Sequence, residues 1–196
     1  MDIRAYLQRI NFQGELEPGA ELLSNLHHAN LLAVPFENLD IHLGRAIELD
    51  EQHLFEKIVA SRRGGFCYEL NGLFAWLLRE LGFQVDPLSA EVFEGGTFSP
   101  EFDHLALRVR MEGDWLADVG FGDSFIRPLS LNLDGAQVQN GRGYRIEQGS
   151  KYKVLAQRDE SGKWEPFYRF TLEPRKLHNY QDRCRYHQTS PESHLS

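Results

Sequence analysis

The chain has 196 residues, of which 41% are hydrophobic and 26% charged, the profile of a water-soluble globular fold of one large domain or two small ones. Acidic residues outnumber basic ones 29 to 21, and the formal net charge of −8 argues against a broad nucleic-acid-binding face. No cationic segment leads into an apolar stretch at the N-terminus and no window approaches a membrane span, so the expected setting is the cytoplasm, with no nucleic acid or membrane as partner.

The first part of the chain reads as helix. Asp2 stands as an N-cap before Ile3, Tyr6, Leu7 and Ile10, which are spaced for one buried face. Pro18 opens a second helix through Leu22, Leu23, Leu26 and Leu31, and Pro35 stops it. Asp50 caps a third, carrying Leu54, Phe55, Ile58 and Val59. In the fourth, "CYELNGLFAWLLRELGF", Leu70, Leu73, Phe74, Leu77, Leu78 and Leu81 form a broad stripe closed by Gly82. Beyond residue 83 the period changes to two. "HLALRVRM" alternates like a half-buried strand, and a turn at 112–114 leads into "WLADVGFG" as the second arm of a hairpin. Residues 131–143 read as an exposed connection, and 143–172 as three strands joined at "QGS" and "DESGK". Helices followed by sequential strands predict an α+β fold: a helical bundle over 1–83, then an antiparallel sheet or small barrel over 84–196 with a short polar tail.

Only two cysteines are present, Cys67 and Cys184, too few for a disulfide framework, and no CxxC pair marks a zinc site. Cys67 follows Gly64 and Gly65 at the start of the fourth helix, where unpaired N–H groups and the helix dipole favour thiolate and predict a lowered pKa. Arg63 adds positive charge unless an acid claims it. The alternative is a small core residue at a helix start. A thiol nucleophile needs a base and a group to orient that base. His104 opens the first hairpin strand, facing away from Leu105 and Leu107, and Asp118 lies among apolar neighbours on the second. An acid there is costly unless paired, and His104 is within reach across the hairpin. The alternatives are a surface histidine and a turn-initiating acid. The rest carries little chemistry. His27 and His28 point different ways on a helix, and His178, His187 and His194 lack ligand spacing, so no metal site is expected. Trp115, Trp164, Phe167, Tyr168 and Phe170 read as core, and no cofactor fingerprint appears.

The motifs "VPFENLDIHLG", "RRGGFCYELNGLF", "HLALRV" and "WLADVGFG", in this order, with "MDIRAYLQRI" before and "FTLEPRKLHNYQDRCRYHQTSPESHLS" after, resemble the arylamine N-acetyltransferases along nearly the whole chain. The resemblance implies a helical bundle and β-barrel around a core related to papain-like thiol proteases. It places Cys67, His104 and Asp118 as a catalytic triad that carries acetyl from acetyl-CoA, through acetyl-Cys67, to the nitrogen of arylamines, arylhydroxylamines or hydrazines. Acetyl-CoA and a small aromatic amine or hydrazine would be the partners, with no permanently bound cofactor. Phe36, Phe121 and Asp103 fall where the family has its acceptor pocket, Tyr186, Thr189 and Ser190 where it has its CoA cleft. Arg9, Glu37 and Arg63 resemble a buried charge network bracing the cysteine loop. Family members usually continue into a third, α/β domain, whereas this sequence stops at Ser196. That departure raises two further expectations: leakage of the acyl-enzyme to water, and a second copy covering the open site. The rival readings are a thiol hydrolase or amide exchanger on the same core, and a non-catalytic two-domain fragment.

Overall fold

Each early helix starts where the sequence supplies a cap or a break. In the computed structural model, which describes residues 1–193 and 195, Asp2 caps α1 (Ile3–Arg9) by accepting the Arg4 N–H at 2.9 Å. His194, one of the tail histidines without ligand spacing, lies outside the described residues, as does Ser196. α2 (Ala20–Ala33) ends at Val34, immediately before Pro35. Asp50 accepts the Gln52 and His53 N–H groups and starts α4 (Glu51–Phe55), which runs on into a π-helical turn, Glu56–Ala60. A one-turn helix the spacing did not predict, α3 (Leu39–His42), lies between them. α5 (Cys67–Glu80) is buried along nearly its whole length and ends at Gly82, whose φ of 91° suits glycine. Full burial of each large apolar side chain on its stripe, such as Leu73, Phe74 and Leu77, contributes about 1.5–3 kcal/mol.

The strands form one antiparallel nine-stranded sheet in the order β5-β4-β3-β1-β9-β8-β7-β6, with β2 (Thr97–Phe98) paired to β1. β3 (His104–Met111) and β4 (Gly113–Ala117) make the predicted hairpin, Met111 opposite Gly113. β7 (Arg142–Gln148), β8 (Lys153–Arg158) and β9 (Trp164–Phe170) fall where the sequence placed three strands. The segment read as an exposed connection contains β6 (Gln137–Gln139), and β5 (Leu129–Ser130) precedes it. β5 and β6 share no backbone ladder. The Gln139 side chain instead accepts the N–H groups of Ile126 and Arg127 and donates to the Arg127 carbonyl, while Gln137 exchanges both bonds with the Ser130 backbone. The barrel is closed there by side-chain amides imitating a strand.

Two cores meet at β3. Leu105, Leu107 and Val109 face the helices, whereas Ala106 faces the barrel interior with Leu116, Phe125 and Tyr168. The strand's expected polar face is therefore also buried over its first half, which is why His104 is only 3% exposed. β1 (Gln84–Glu94) passes through Pro87 because that stretch pairs with β3 on one side only, its other side meeting the chain after β9 through the Arg175 N–H to Pro87 carbonyl bond. The expected polar tail is a correction: a 3-10 turn (Leu177–Tyr180) and α6 (Gln181–Thr189) dock on the helical layer, burying Tyr180, Cys184 and His187. Among the described residues no helix is long and apolar enough to cross a membrane.

Candidate active site

The loop entering α5 is laced to the segment before α3. Gly65 pairs with Phe36, and the Glu37 N–H donates to the Gly65 carbonyl at 2.9 Å. A side chain at Gly64 would overlap the Pro35 carbonyl oxygen, so this crossing requires glycine. No side chain caps α5 from the N-cap position, but the Glu69 carboxylate reaches back to accept the Phe66 N–H at 3.1 Å. Cys67 thereby becomes the first residue of a fixed helix, with its own N–H among those lacking an intrahelical acceptor.

α5, β3 and the turn after β4 meet at one cavity of about 400 Å³, lined in part by Cys67, His104 and Gly120. Behind His104, its Nε2 donates to Asp118 Oδ2 at 2.7 Å, which leaves Nδ1 as the ring's proton acceptor. Asp118 follows β4 and is 1% exposed. Burial alone would raise its carboxyl, but the charge and hydrogen bond of His104, with the donors of Asn71 and Gly120, hold it below the usual range. The Cys67 thiol goes the other way. Burial and the Asp118 carboxylate push it well above its ordinary value, against a backbone hydrogen bond from Leu105. This corrects the expected lowered pKa. The helix terminus is outweighed by desolvation and by nearby acids, and Arg63 offers no relief because Glu37 and Asp40 claim it at 2.8 and 2.6 Å.

Two residues that spacing did not single out fix the carboxylate. Asn71, one turn beyond Cys67, donates to Asp118 Oδ1 at 2.8 Å and to the Leu105 carbonyl at 2.6 Å, and accepts the Val119 N–H at 2.9 Å. His27 Nε2 accepts the Asp118 backbone N–H at 3.1 Å while Nδ1 donates to the Ile126 carbonyl, a neutral tautomer that burial enforces by lowering its pKa to about 4. The signal for Asn71 was its i+4 spacing from Cys67. For His27 it was a histidine on the apolar face of α2. Gly120 completes the close packing, since an added Cβ would lie 2.8 Å from both Cys67 Cα and Asn71 Nδ2.

The predicted pocket residues divide. Phe36, Phe121 and Asp103 line the cavity, with Phe121 edge-on to His104 at 5.1 Å. Phe167, read from sequence as core, also lines it, its ring tilted 35° to that of Phe121 with centroids 4.4 Å apart. Asp103 is bound by Arg183 at 2.6 Å and His187 at 3.1 Å, and these bonds outweigh burial to hold its carboxyl well below the usual range. Tyr186, Thr189 and Ser190 do not line this cavity. Tyr186 stacks under the Arg183 guanidinium at 4.1 Å, Thr189 faces a separate groove between α6 and residues 46–50, and Ser190 ends α6. The charge network also needs correction at Arg9. It binds no acid in this network, its guanidinium donating to the carbonyls of Ala33, Ile58, Arg62 and Arg63. Glu37 and Arg63 are joined instead by Asp40, Lys57 and Glu69.

A family profile described as N-acetyltransferase matches residues 20–196. Proansamycin X synthase from Amycolatopsis mediterranei is 35% identical over 187 residues, covering 92% of this chain and 72% of that protein. The arylamine N-acetyltransferase / N-hydroxyarylamine O-acetyltransferase of Salmonella typhimurium is 41% identical over 173 residues, 87% of this chain and 61% of its own length. The solved structure of Mycobacterium marinum arylamine N-acetyltransferase in complex with CoA superposes with a TM-score of 0.92 at 32% identity, over 99% of this chain and 74% of that one. Sequence and fold agree over almost all of the residues present, and the chain belongs to the arylamine N-acetyltransferase family.

Proposed function

We propose that this chain transfers an acetyl group from acetyl-CoA to the amino nitrogen of an arylamine, arylhydroxylamine or hydrazine, through a covalent acetyl-Cys67. The observation that carries the reading is the 2.7 Å His104–Asp118 bond set behind an aromatic cavity that Cys67 and His104 share. Because its surroundings keep the thiol protonated, sulfur becomes nucleophilic as His104 Nδ1 removes its proton, and Asp118 stabilises the imidazolium that results. Sulfur attacks the thioester carbonyl, and the oxyanion lies toward the first N–H groups of α5. The C–S bond to CoA breaks, and His104 returns its proton to the departing thiolate. The amine then attacks acetyl-Cys67, loses a proton to His104, and releases the amide as the Cys67 thiol re-forms.

Intact-mass analysis after brief exposure to acetyl-CoA tests this. A single acetyl adduct is expected, absent in Cys67→Ala and discharged by an added arylamine as the acetylated amine appears. An adduct that persists with Cys67→Ala rejects the assigned nucleophile. An adduct that amines leave intact but water releases as acetate makes the chain a hydrolase.

A further inference from the structure

The cavity that holds Cys67 has a marked chemical asymmetry. Four phenylalanines, Phe36, Phe93, Phe121 and Phe167, form much of its wall, and its acidic side chains are Glu94 and Asp103. Among the described residues no lysine or arginine lines it. Asp103 already has partners, the Arg183 guanidinium at 2.6 Å and His187 at 3.1 Å. Glu94 differs: it ends β1 on the exposed rim and takes part in none of the ion pairs among the described residues. Aromatic faces attract cations through their quadrupole, and an unpaired carboxylate beside them adds a direct Coulomb attraction.

We propose that the acceptor cavity selects aromatic amines carrying a positively charged group remote from the reacting nitrogen, and disfavours those carrying a carboxylate, with Glu94 as the rim residue that sets the preference. The inference rests on the acetyl-transfer reading for the acceptor's identity. The reacting nitrogen itself stays neutral, so the two ends of the acceptor answer to different parts of the wall: its ring to the phenylalanines, its charged group to Glu94. The chain's formal charge of −8 biases approach in the same direction.

Three acceptors of nearly equal size test it: 4-aminobenzamidine, 4-aminobenzamide and 4-aminobenzoate. Their intrinsic nucleophilicities differ, so the readout is the amidine-to-carboxylate ratio of kcat/KM in each variant relative to wild type. At low salt the ratio is expected to fall about tenfold in Glu94→Gln, as a swing of two charges facing one partly solvated carboxylate implies. It should hold in Glu160→Gln, an exposed acid in the β8–β9 turn. An unchanged ratio in Glu94→Gln, or an equal fall in Glu160→Gln, overturns the proposal. Benzamidine and benzoate, which lack the reacting nitrogen, separate its failure from that of acetyl transfer. Benzamidine should slow alkylation of Cys67 by iodoacetamide more than benzoate does, and Glu94→Gln should erase the difference. Equal protection by both ligands in wild type overturns the charge preference even if all three amines are acetylated. Unequal protection without acetylation of any amine leaves the preference standing and sinks the acetyl-transfer reading.

Discussion

Asn71 has no spare hydrogen-bonding capacity for its position. Its amide nitrogen serves Asp118 and the Leu105 carbonyl, its oxygen takes the Val119 N–H, and it is fully buried. Hydrogen bonds to charged groups are worth about 1.5–3 kcal/mol, so Asn71→Ala is expected to slow acetylation of Cys67 by about ten- to a hundredfold, read by rapid-quench mass analysis. His27 gives a pH prediction with a definite sign. Its folded pKa of about 4 lies below the ordinary 6.5, so the unfolded chain binds a proton that the folded chain refuses between these values. The stabilisation by neutral His27 is therefore complete above pH 6.5 and is lost as pH falls toward 4. His27→Gln can keep both hydrogen bonds without titrating. The wild type should lose about 2 kcal/mol more stability than this variant between pH 7 and 5, measured by urea unfolding. Residues of this kind are hard to read from sequence because their partners are backbone groups. Spacing shows a histidine on an apolar helix face, but not that an amide N–H from residue 118 lies opposite it.

At the scale of elements, α5 and the β3–β4 hairpin were legible because apolar stripe and alternation both stated which face goes inward. The other face of β3 was not, since a strand between two cores looks half-buried until the second core is known. β1 was obscured by Pro87, tolerated because the strand lacks a ladder on one side there, and α6 by a polar sequence whose docking depends on Arg183 reaching Asp103. The π-helical turn after α4 aims Lys57 into the base of α5, at 2.7 Å from Glu69 and 2.8 Å from Asp40. Burial pushes the Glu69 carboxyl up even with this partner. Removing the cation strands that acid, so Lys57→Met should cost about 3–5 kcal/mol in chemical unfolding, far more than an exposed lysine would.

For the whole molecule, helices before strands announced the α+β architecture and left open sheet and small barrel side by side; the barrel came from the family resemblance, because the seam is made by glutamine side chains from a segment with no strand-like alternation. Gln139→Ala removes three bonds at once and frees the Ile126 and Arg127 N–H groups. It should cost about 1–3 kcal/mol and speed hydrogen exchange at these two amides while β8 and β9 stay protected. A second device joins distant parts of the chain. The Arg9 guanidinium gathers carbonyls from the end of α2, the π-helical turn and the loop before Cys67, the last 54 positions away in sequence. The opening ten residues thus work as a keystone. Trimming them is expected to register first as a loosened nucleophile, seen in faster proteolysis near residues 62–66, rather than as damage at the end that was cut.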